Sequence, residues 1–130
     1  MAYNNSVTNT AGQLSAITAT IAYTDTSAVT IGTIPANAQI VNINIDVTTA
    51  FNAATTNTVT VGKTGSAAAY VTSTSVGTAG RAAVATTGVY SAWANVGSSD
   101  VDFATITYSQ TGTAATAGAA RVTIVYKSFA

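Results

Sequence analysis

Apolar and polar residues alternate along much of this chain. The pattern is clearest at residues 40–47. There the odd-numbered positions are apolar (Val41, Ile43, Ile45 and Val47), and the even-numbered positions between them are polar (Asn42, Asn44 and Asp46). Successive side chains of a β-strand point to opposite faces, so an alternation of period two predicts a strand with one buried face. A helix would scatter both sets of residues around its circumference.

Further segments repeat this alternation and predict further strands. They lie at residues 17–23, 29–32, 58–62, 100–109 and 121–127. In the last two segments one face is formed by Ala104, Ile106 and Tyr108, and by Val122, Ile124 and Tyr126. The alanine-rich residues 67–71 predict a helical turn, or an edge strand that includes residues 70–73. Val84 and residues 89–93 indicate one or two more strands.

Turn-forming residues separate these segments and indicate the fold class. Asp25 begins a turn, Pro35 marks the entry to the strand at 40–47, and glycines bound a loop at 77–80. The polar residues 110–120 are predicted to close a hairpin between the last two strands. About seven to nine short strands with regular turns are typical of a sandwich or barrel. We predict an all-β fold: a single jelly-roll-like β-sandwich over residues 14–130, preceded by an extended, polar N-terminal arm at residues 1–13.

The composition argues against catalysis. The 130 residues include no His, Cys or Glu, and 6% of them are charged. His, Glu and thiols are the groups most readily tuned for proton transfer or nucleophilic attack near neutral pH. A serine nucleophile would have no His to activate it. We therefore expect a structural protein and not an enzyme, with no catalytic residue, no cofactor and no metal site.

Two short motifs resemble chemical sites but are incomplete. Asp100 and Asp102 would share one face of a strand, yet a calcium site needs about six oxygen ligands and no further acid is nearby. A solvated strand start is the favoured interpretation. The tripeptide Gly62-Lys63-Thr64 matches the end of a phosphate-binding loop, but Asn57 stands where that loop requires a glycine.

Aromatic and arginine residues suggest contact surfaces. Phe51, Tyr70, Tyr90 and Trp93 could form a platform for stacking sugars, although such residues more often fill a core or a subunit contact. Arg81 and Arg121 are open to two interpretations, an ion pair with an aspartate across an interface or a solvated charge. The sequence does not identify the aspartate.

The charge balance and the N-terminus restrict the partners. The four basic residues are separated in sequence and are matched by four acidic ones, whereas nucleic-acid binding requires clustered Lys and Arg. No apolar run reaches membrane-spanning length, and the first residues do not form a signal peptide. We expect neither a nucleic-acid nor a membrane partner, and synthesis in a cytoplasm. A net charge near zero favours association, which suits a protein packed against other subunits.

Residues 33–62 resemble a stretch found in small virion proteins of tailed bacteriophages. The resemblance begins with Thr33-Ile34-Pro35-Ala36-Asn37-Ala38-Gln39-Ile40 and continues through the alternating strand to Val47. It extends over Thr48-Thr49-Ala50-Phe51-Asn52 and Asn57-Thr58-Val59-Thr60-Val61-Gly62, and Tyr70, Val71 and Gly80 lie where the pattern tends to continue. The family that it indicates is the head decoration, or cement, proteins.

This resemblance implies a small β-sandwich, often trimeric, bound to the outside of an expanded phage capsid. It implies a homotrimer on the capsid surface of the virion, assembled in the host cytoplasm, with the major capsid protein as partner. The resemblance assigns no catalytic residue to this chain. The candidate contacts with the capsid or between subunits are Tyr3, Asn4, Asn5, Val7, Arg81, Trp93 and Arg121.

Two other functions remain open from the sequence. The chain could be a different virion part, such as a tail, head-fibre or adsorption protein. It could also be a carbohydrate-binding module, which would require exposed aromatic side chains.

Overall fold

Eight β-strands form the described part of the chain. The structure is a computed structural model that describes residues 14–35, 38–84 and 102–128. The strands are β1 (Leu14–Ala22), β2 (Val29–Ile34), β3 (Ala38–Thr49), β4 (Thr56–Lys63), β5 (Ser66–Ser75), β6 (Gly80–Arg81), β7 (Asp102–Thr111) and β8 (Ala119–Ser128). No helix occurs in these ranges. The alternation in the sequence therefore correctly predicted an all-β fold.

The strands form two four-stranded antiparallel sheets that pack face to face. The first sheet has the order β1-β8-β3-β6, and the second has the order β2-β7-β4-β5. The last two strands are inserted between earlier ones, β8 between β1 and β3 and β7 between β2 and β4. Eight strands in two such sheets form a jelly roll, which confirms the predicted sandwich.

The core is formed by the inward-facing residues of both sheets. Its largest fully buried side chains are Tyr70, Phe51, Ile21, Ile34, Ile43, Ile45, Ile106, Ile124, Val59, Val61, Val71 and Val76. Phe51 comes from the connection between β3 and β4, and its ring centroid lies 4.6 Å from that of Tyr108 on β7. Each such aliphatic or aromatic side chain contributes about 1.5–3 kcal/mol through burial. Packing between the sheets is therefore the main source of stability.

Most of the predicted faces are confirmed. Ile21 is buried in β1 and Ile17 and Ala19 pack against the core. Ala104, Ile106 and Tyr108 are buried in β7, and Val122 and Ile124 are buried in β8. In β3, Asn44 and Asp46 face outward as predicted, since Ile43, Ile45 and Val47 are buried. The predicted turn at Asp25 is also present, where its Oδ2 accepts a hydrogen bond from the Ala22 N–H at 2.7 Å.

The prediction for Val41 is wrong. Its side chain is 44% exposed, whereas Ile40 is buried. The register between β3 and β8 shifts between Ile40 and Asn42, so one extra residue is inserted at a β-bulge. The extra residue at a bulge interrupts the alternation, so even-numbered residues face the core before it and odd-numbered residues face the core after it. Ile40 and Ile43 are therefore both on the core side, and Val41 is on the outer side.

Two connections also differ from the predictions. Residues 112–118 do not close a hairpin, because β7 and β8 belong to different sheets and the connection crosses from one sheet to the other. Of the two alternatives for residues 67–71, the helical turn is wrong, and the edge strand that includes residues 70–73 is confirmed. These residues belong to the long strand β5, which pairs with β4 at the end of the second sheet. Backbone hydrogen bonds to β4 stabilise β5 as a strand, whereas a short alanine run does not form a stable helix by itself.

Several predictions concern residues outside the described ranges. These are the N-terminal arm at 1–13, the possible strand at 89–93, and Asp100. No helix in the described residues has the length and apolarity needed to cross a membrane.

Candidate interaction surface

The outer face of the first sheet carries a row of charged side chains. Antiparallel pairing places Asp46 of β3 directly opposite Arg121 of β8 on one side and opposite Arg81 of β6 on the other. Directly opposite residues on one face of a sheet have Cβ atoms about 4.5–5.5 Å apart, so the Asp46 side chain starts between those of the two arginines. We call this outer face, which includes Thr18, Asn44, Asp46, Arg81, Arg121, Thr123, Val125 and Lys127, the charged face.

A hydrogen bond orients one of the two arginines. The Nη2 group of Arg81 donates to Oδ1 of Asn44, which lies two residues before Asp46 on the same outer face of β3. Both arginines are exposed and Asp46 is half-buried. Even a fully formed ion pair between exposed side chains contributes only about 0–1 kcal/mol to stability. The row is therefore not needed to hold the sheet together, and its arginines remain accessible to a partner.

Most of the described charge lies on the charged face. Three cationic residues, Arg81, Arg121 and Lys127, stand against the single carboxylate of Asp46. The other described charged side chains, Asp25 and Lys63, lie elsewhere in the fold. The charged face therefore carries a net positive charge although the whole chain has a formal net charge of zero.

The other end of the charged face combines exposed apolar side chains with Lys127. In the middle, the Thr18 and Thr123 hydroxyls are 3.2 Å apart, and Thr18 Oγ1 also donates to the Val122 carbonyl at 2.8 Å. Farther along, Val125 pairs with Ala16, next to the exposed residues Leu14 and Val41. Leu14 is 56% exposed. Lys127 pairs with Leu14 at this end. The charged face thus has an arginine-containing end, a hydroxyl-rich middle and an end where apolar side chains surround a lysine, and a protein partner can be recognised by that order.

The structure brings together two of the seven residues predicted from sequence to make contacts. Arg81 and Arg121 lie on the charged face on either side of Asp46. Tyr3, Asn4, Asn5, Val7 and Trp93 are outside the described residues. Sequence reasoning missed Asp46 as the common neighbour of both arginines, because only the pairing of β3 with β8 and with β6 brings these residues together.

The aromatic platform predicted from sequence is not formed by the two members that the structure describes. Phe51 and Tyr70 are 2% and 0% exposed and belong to the core. Tyr90 and Trp93 are outside the described ranges. Phe103, which the sequence analysis did not single out, is 54% exposed on the second sheet. In an alternating strand, Phe103 lies on the face opposite to that of its chain neighbour Ala104, which is buried. The alternation therefore predicts that Phe103 points outward.

The polar groups of the interior have structural roles. The Tyr108 hydroxyl donates to Asn57 Oδ1 at 2.7 Å, and the same amide oxygen accepts the Ala53 N–H at 2.9 Å. Burial raises the pKa of Tyr108. The phenol therefore stays protonated at neutral pH and acts as a hydrogen-bond donor. Across the described residues no cluster of three potential metal ligands occurs.

Comparisons with known proteins identify a similar fold. No protein-family model and no curated protein matches the chain. A chain in the solved structure entitled "Cyanophage Pam1 capsid asymmetric unit" is similar, with a TM-score of 0.68 and 20% sequence identity. The match covers 98% of this chain and 94% of that chain. At this identity the match establishes a common fold over nearly the whole of both chains.

Proposed function

We propose that this chain is a structural protein of a phage capsid, and specifically a head decoration protein. The observation that carries the proposal is the fold match to a chain of a cyanophage capsid over 98% of this chain. A jelly roll alone does not imply a function, because capsid proteins and lectins share it. The capsid match is supported by the independent resemblance of residues 33–62 to small virion proteins.

The extent of the match favours a small accessory subunit. Each chain is covered almost completely by the other, so the two are about equal in length. A domain inserted in a larger shell protein would instead match only a fraction of its counterpart. A single jelly roll of this size agrees with the small β-sandwich that the resemblance implies for decoration proteins. The partner in this proposal is the major capsid protein, and the location is the capsid surface.

The charged face supports contacts between subunits. Arginine forms bidentate hydrogen bonds to carboxylates, which give a contact orientation as well as attraction. In the proposed homotrimer, Arg81 or Arg121 of one subunit binds an aspartate of the next, and Trp93 adds an aromatic contact. Many copies on one capsid allow each contact to be weak while the attachment as a whole is strong.

The N-terminal arm is the proposed link to the shell. Residues 1–13 precede β1, which lies at the edge of the first sheet. An extended segment of this length spans up to about 45 Å. We expect the arm to add a strand to a neighbouring subunit or to the shell, through Tyr3, Asn4, Asn5 and Val7. Backbone hydrogen bonds would provide the affinity, and the side chains would fix the register of the added strand.

The test is binding to phage heads. Heads of the phage that encodes this chain are prepared without the protein and mixed with the purified full chain, and occupancy is measured by quantitative mass spectrometry of sedimented particles. We expect saturable binding of the full chain and strongly reduced binding of a variant that lacks residues 2–13. A variant with the same residues in shuffled order is the matched control for the length of the arm.

The outcomes separate the levels of the proposal. Undiminished binding of the deletion variant would refute the role of the arm but leave decoration intact. Sedimentation with tails and not with heads would identify another virion part and refute decoration. Absence of the chain from intact virions would refute the structural role as a whole.

A further inference from the structure

An open pocket lies on the outer face of the second sheet, opposite the charged face. Its volume is about 540 Å³, within the range of small-molecule sites. It is lined by small, hydroxyl-bearing and basic residues: Ala28, Thr30, Lys63, Thr64, Gly65, Ser66, Ala67 and Thr105. No carboxylate occurs in this lining, which argues against a cation as its ligand.

The register of three strands forms the pocket. Thr105 of β7 is paired with Thr30 of β2 on one side and with Gly62 of β4 on the other. Gly62 has no side chain, and the backbone of Ser66 and Ala67 lies against it: an added Cβ would be 2.1 Å from the Ser66 carbonyl oxygen. The first residues of β5 therefore form one wall of the pocket, beside Thr105. Thr105 is 8% exposed and forms the floor of the pocket.

An exposed aromatic residue precedes the floor residue on the same strand. Phe103 lies two residues before Thr105, so both side chains project from the same face of β7. Its side chain is 54% exposed, and its carbonyl oxygen accepts the N–H of Thr64, a lining residue, at 3.1 Å. An exposed aromatic side chain thus lies on the same face of β7 as the pocket floor, one outward position away.

We propose that this pocket, with Phe103 at its edge, binds a pyranose unit of a glycan. The apolar C–H face of a pyranose ring stacks on an aromatic ring, while its hydroxyl groups exchange hydrogen bonds with groups that both donate and accept. The hydroxyls of Thr30, Thr64 and Thr105 have that dual capacity. A purely apolar ligand would leave these hydroxyls without partners, which is unfavourable.

The proposed site is independent of the proposed capsid role. It lies on the sheet opposite the charged face, so a subunit that is bound through the charged face would still present the pocket to solvent. A ligand of roughly a dozen non-hydrogen atoms is expected to bind with a dissociation constant on the order of 1 mM. Display of many copies would raise the avidity for a surface that carries repeated sugars.

The experiment is a titration of the ¹⁵N-labelled full chain with methyl glycosides of glucose, galactose and mannose, with N-acetylglucosamine and with glucuronic acid. Amide chemical shifts are recorded together with saturation transfer to the sugar protons. We expect at least one probe to shift the amides of Thr30, Thr64 and Thr105 and to receive saturation at its ring C–H protons.

Two variants test the assigned roles. Phe103→Ala removes the stacking surface and is expected to weaken binding by roughly tenfold or more. Its matched control is Leu14→Ala, which removes an equally exposed apolar side chain from the other sheet and should leave binding unchanged. Thr105→Val keeps the shape of the floor but removes its hydroxyl, and should also weaken binding.

Each outcome decides the proposal. Binding that maps to these amides and is lost in Phe103→Ala but not in Leu14→Ala supports it. Shifts confined to other residues, equal binding by Phe103→Ala, or no response to any probe up to its solubility limit would overturn it. None of these results depends on whether the chain attaches to phage heads, so failure here leaves the proposed function untouched.

Discussion

Among the glycines that the structure describes, Gly62 leaves the least room for a side chain. An ideal Cβ at this position would lie 2.1 Å from the Ser66 carbonyl oxygen and 2.5 Å from the Ala67 carbonyl carbon. Both are backbone atoms and cannot rotate away. The alternation predicts that a strand ends at Gly62, but the structure places Gly62 within β4, where the first residues of β5 lie against it. Its function is to allow the close approach of two strands.

Gly62→Ala is therefore expected to lower the free energy of unfolding by about 2–3 kcal/mol or more, since the added methyl group forces β4 and β5 apart. Urea denaturation followed by circular dichroism measures this loss. The matched control is Gly77→Ala, where the nearest atoms to an added Cβ are 3.9 Å away. Similar midpoints for the two variants would show that the hairpin adapts, contrary to this interpretation.

At the scale of elements, the connection between β7 and β8 depends on a contact far away in sequence. Asn52, in the connection between β3 and β4, accepts hydrogen bonds at Oδ1 from the N–H groups of Thr116 at 2.8 Å and Ala117 at 3.0 Å. Its Nδ2 donates to Thr116 Oγ1 at 3.0 Å. One side chain therefore orders a polar crossover that the sequence alone suggested was a hairpin loop.

Asn52→Ala is expected to destabilise the fold by about 1–2 kcal/mol, because it removes three hydrogen bonds from one loop. Hydrogen exchange at the Thr116 and Ala117 amides should accelerate more than exchange at the core amides of β8. Asn42→Ala is the matched control, since Asn42 is exposed on β3. Unchanged protection at Thr116 and Ala117 would mean that the crossover is ordered by its own backbone.

At the scale of the whole molecule, charge is distributed unevenly between the two sheets. Asp46, Arg81, Arg121 and Lys127 share the charged face, whereas threonines and serine dominate the outward positions of β4 and β7 on the second sheet. A near-neutral chain thus has one face suited to directional polar contacts. We expect that face to determine the oligomeric state.

Light scattering of the purified chain is expected to give a trimer. Arg121→Glu is expected to shift the mass toward the monomer, because it replaces the guanidinium proposed to bind an aspartate of the next subunit with a carboxylate that repels it. Dissociation should also increase with salt, since screening weakens exposed charge contacts. Ser109→Glu adds a negative charge to the opposite sheet and should leave the mass unchanged. A monomeric wild-type chain would remove the basis for the trimer, and rings or open polymers would favour a tail component.

The candidate surface could be predicted from the sequence only in part. Arg81 and Arg121 were identified because charged residues are rare in this chain and arginine favours directional contacts. Asp46 was known to lie on the polar face of its strand, but its two neighbours were not. Those neighbours depend on the order β8-β3-β6, in which strands distant in sequence become adjacent. The alternation likewise predicts that Phe103 points outward, but the pocket itself exists only because β7 pairs with β2 and β4.

The amino-acid sequence by itself determined most of the strands and most of their buried faces, because alternation is a local property that each strand carries in its own residues. It left β5 open between two alternatives and predicted a loop where the short strand β6 begins. It also determined the turn at Asp25 and the chemical character of the chain, which lacks His, Cys and Glu. The tertiary structure alone decided the jelly-roll order, the bulge at Val41 and the crossover pinned by Asn52. These features arise from pairing between segments far apart in the chain, and a period-two pattern contains no information about which strand lies beside which.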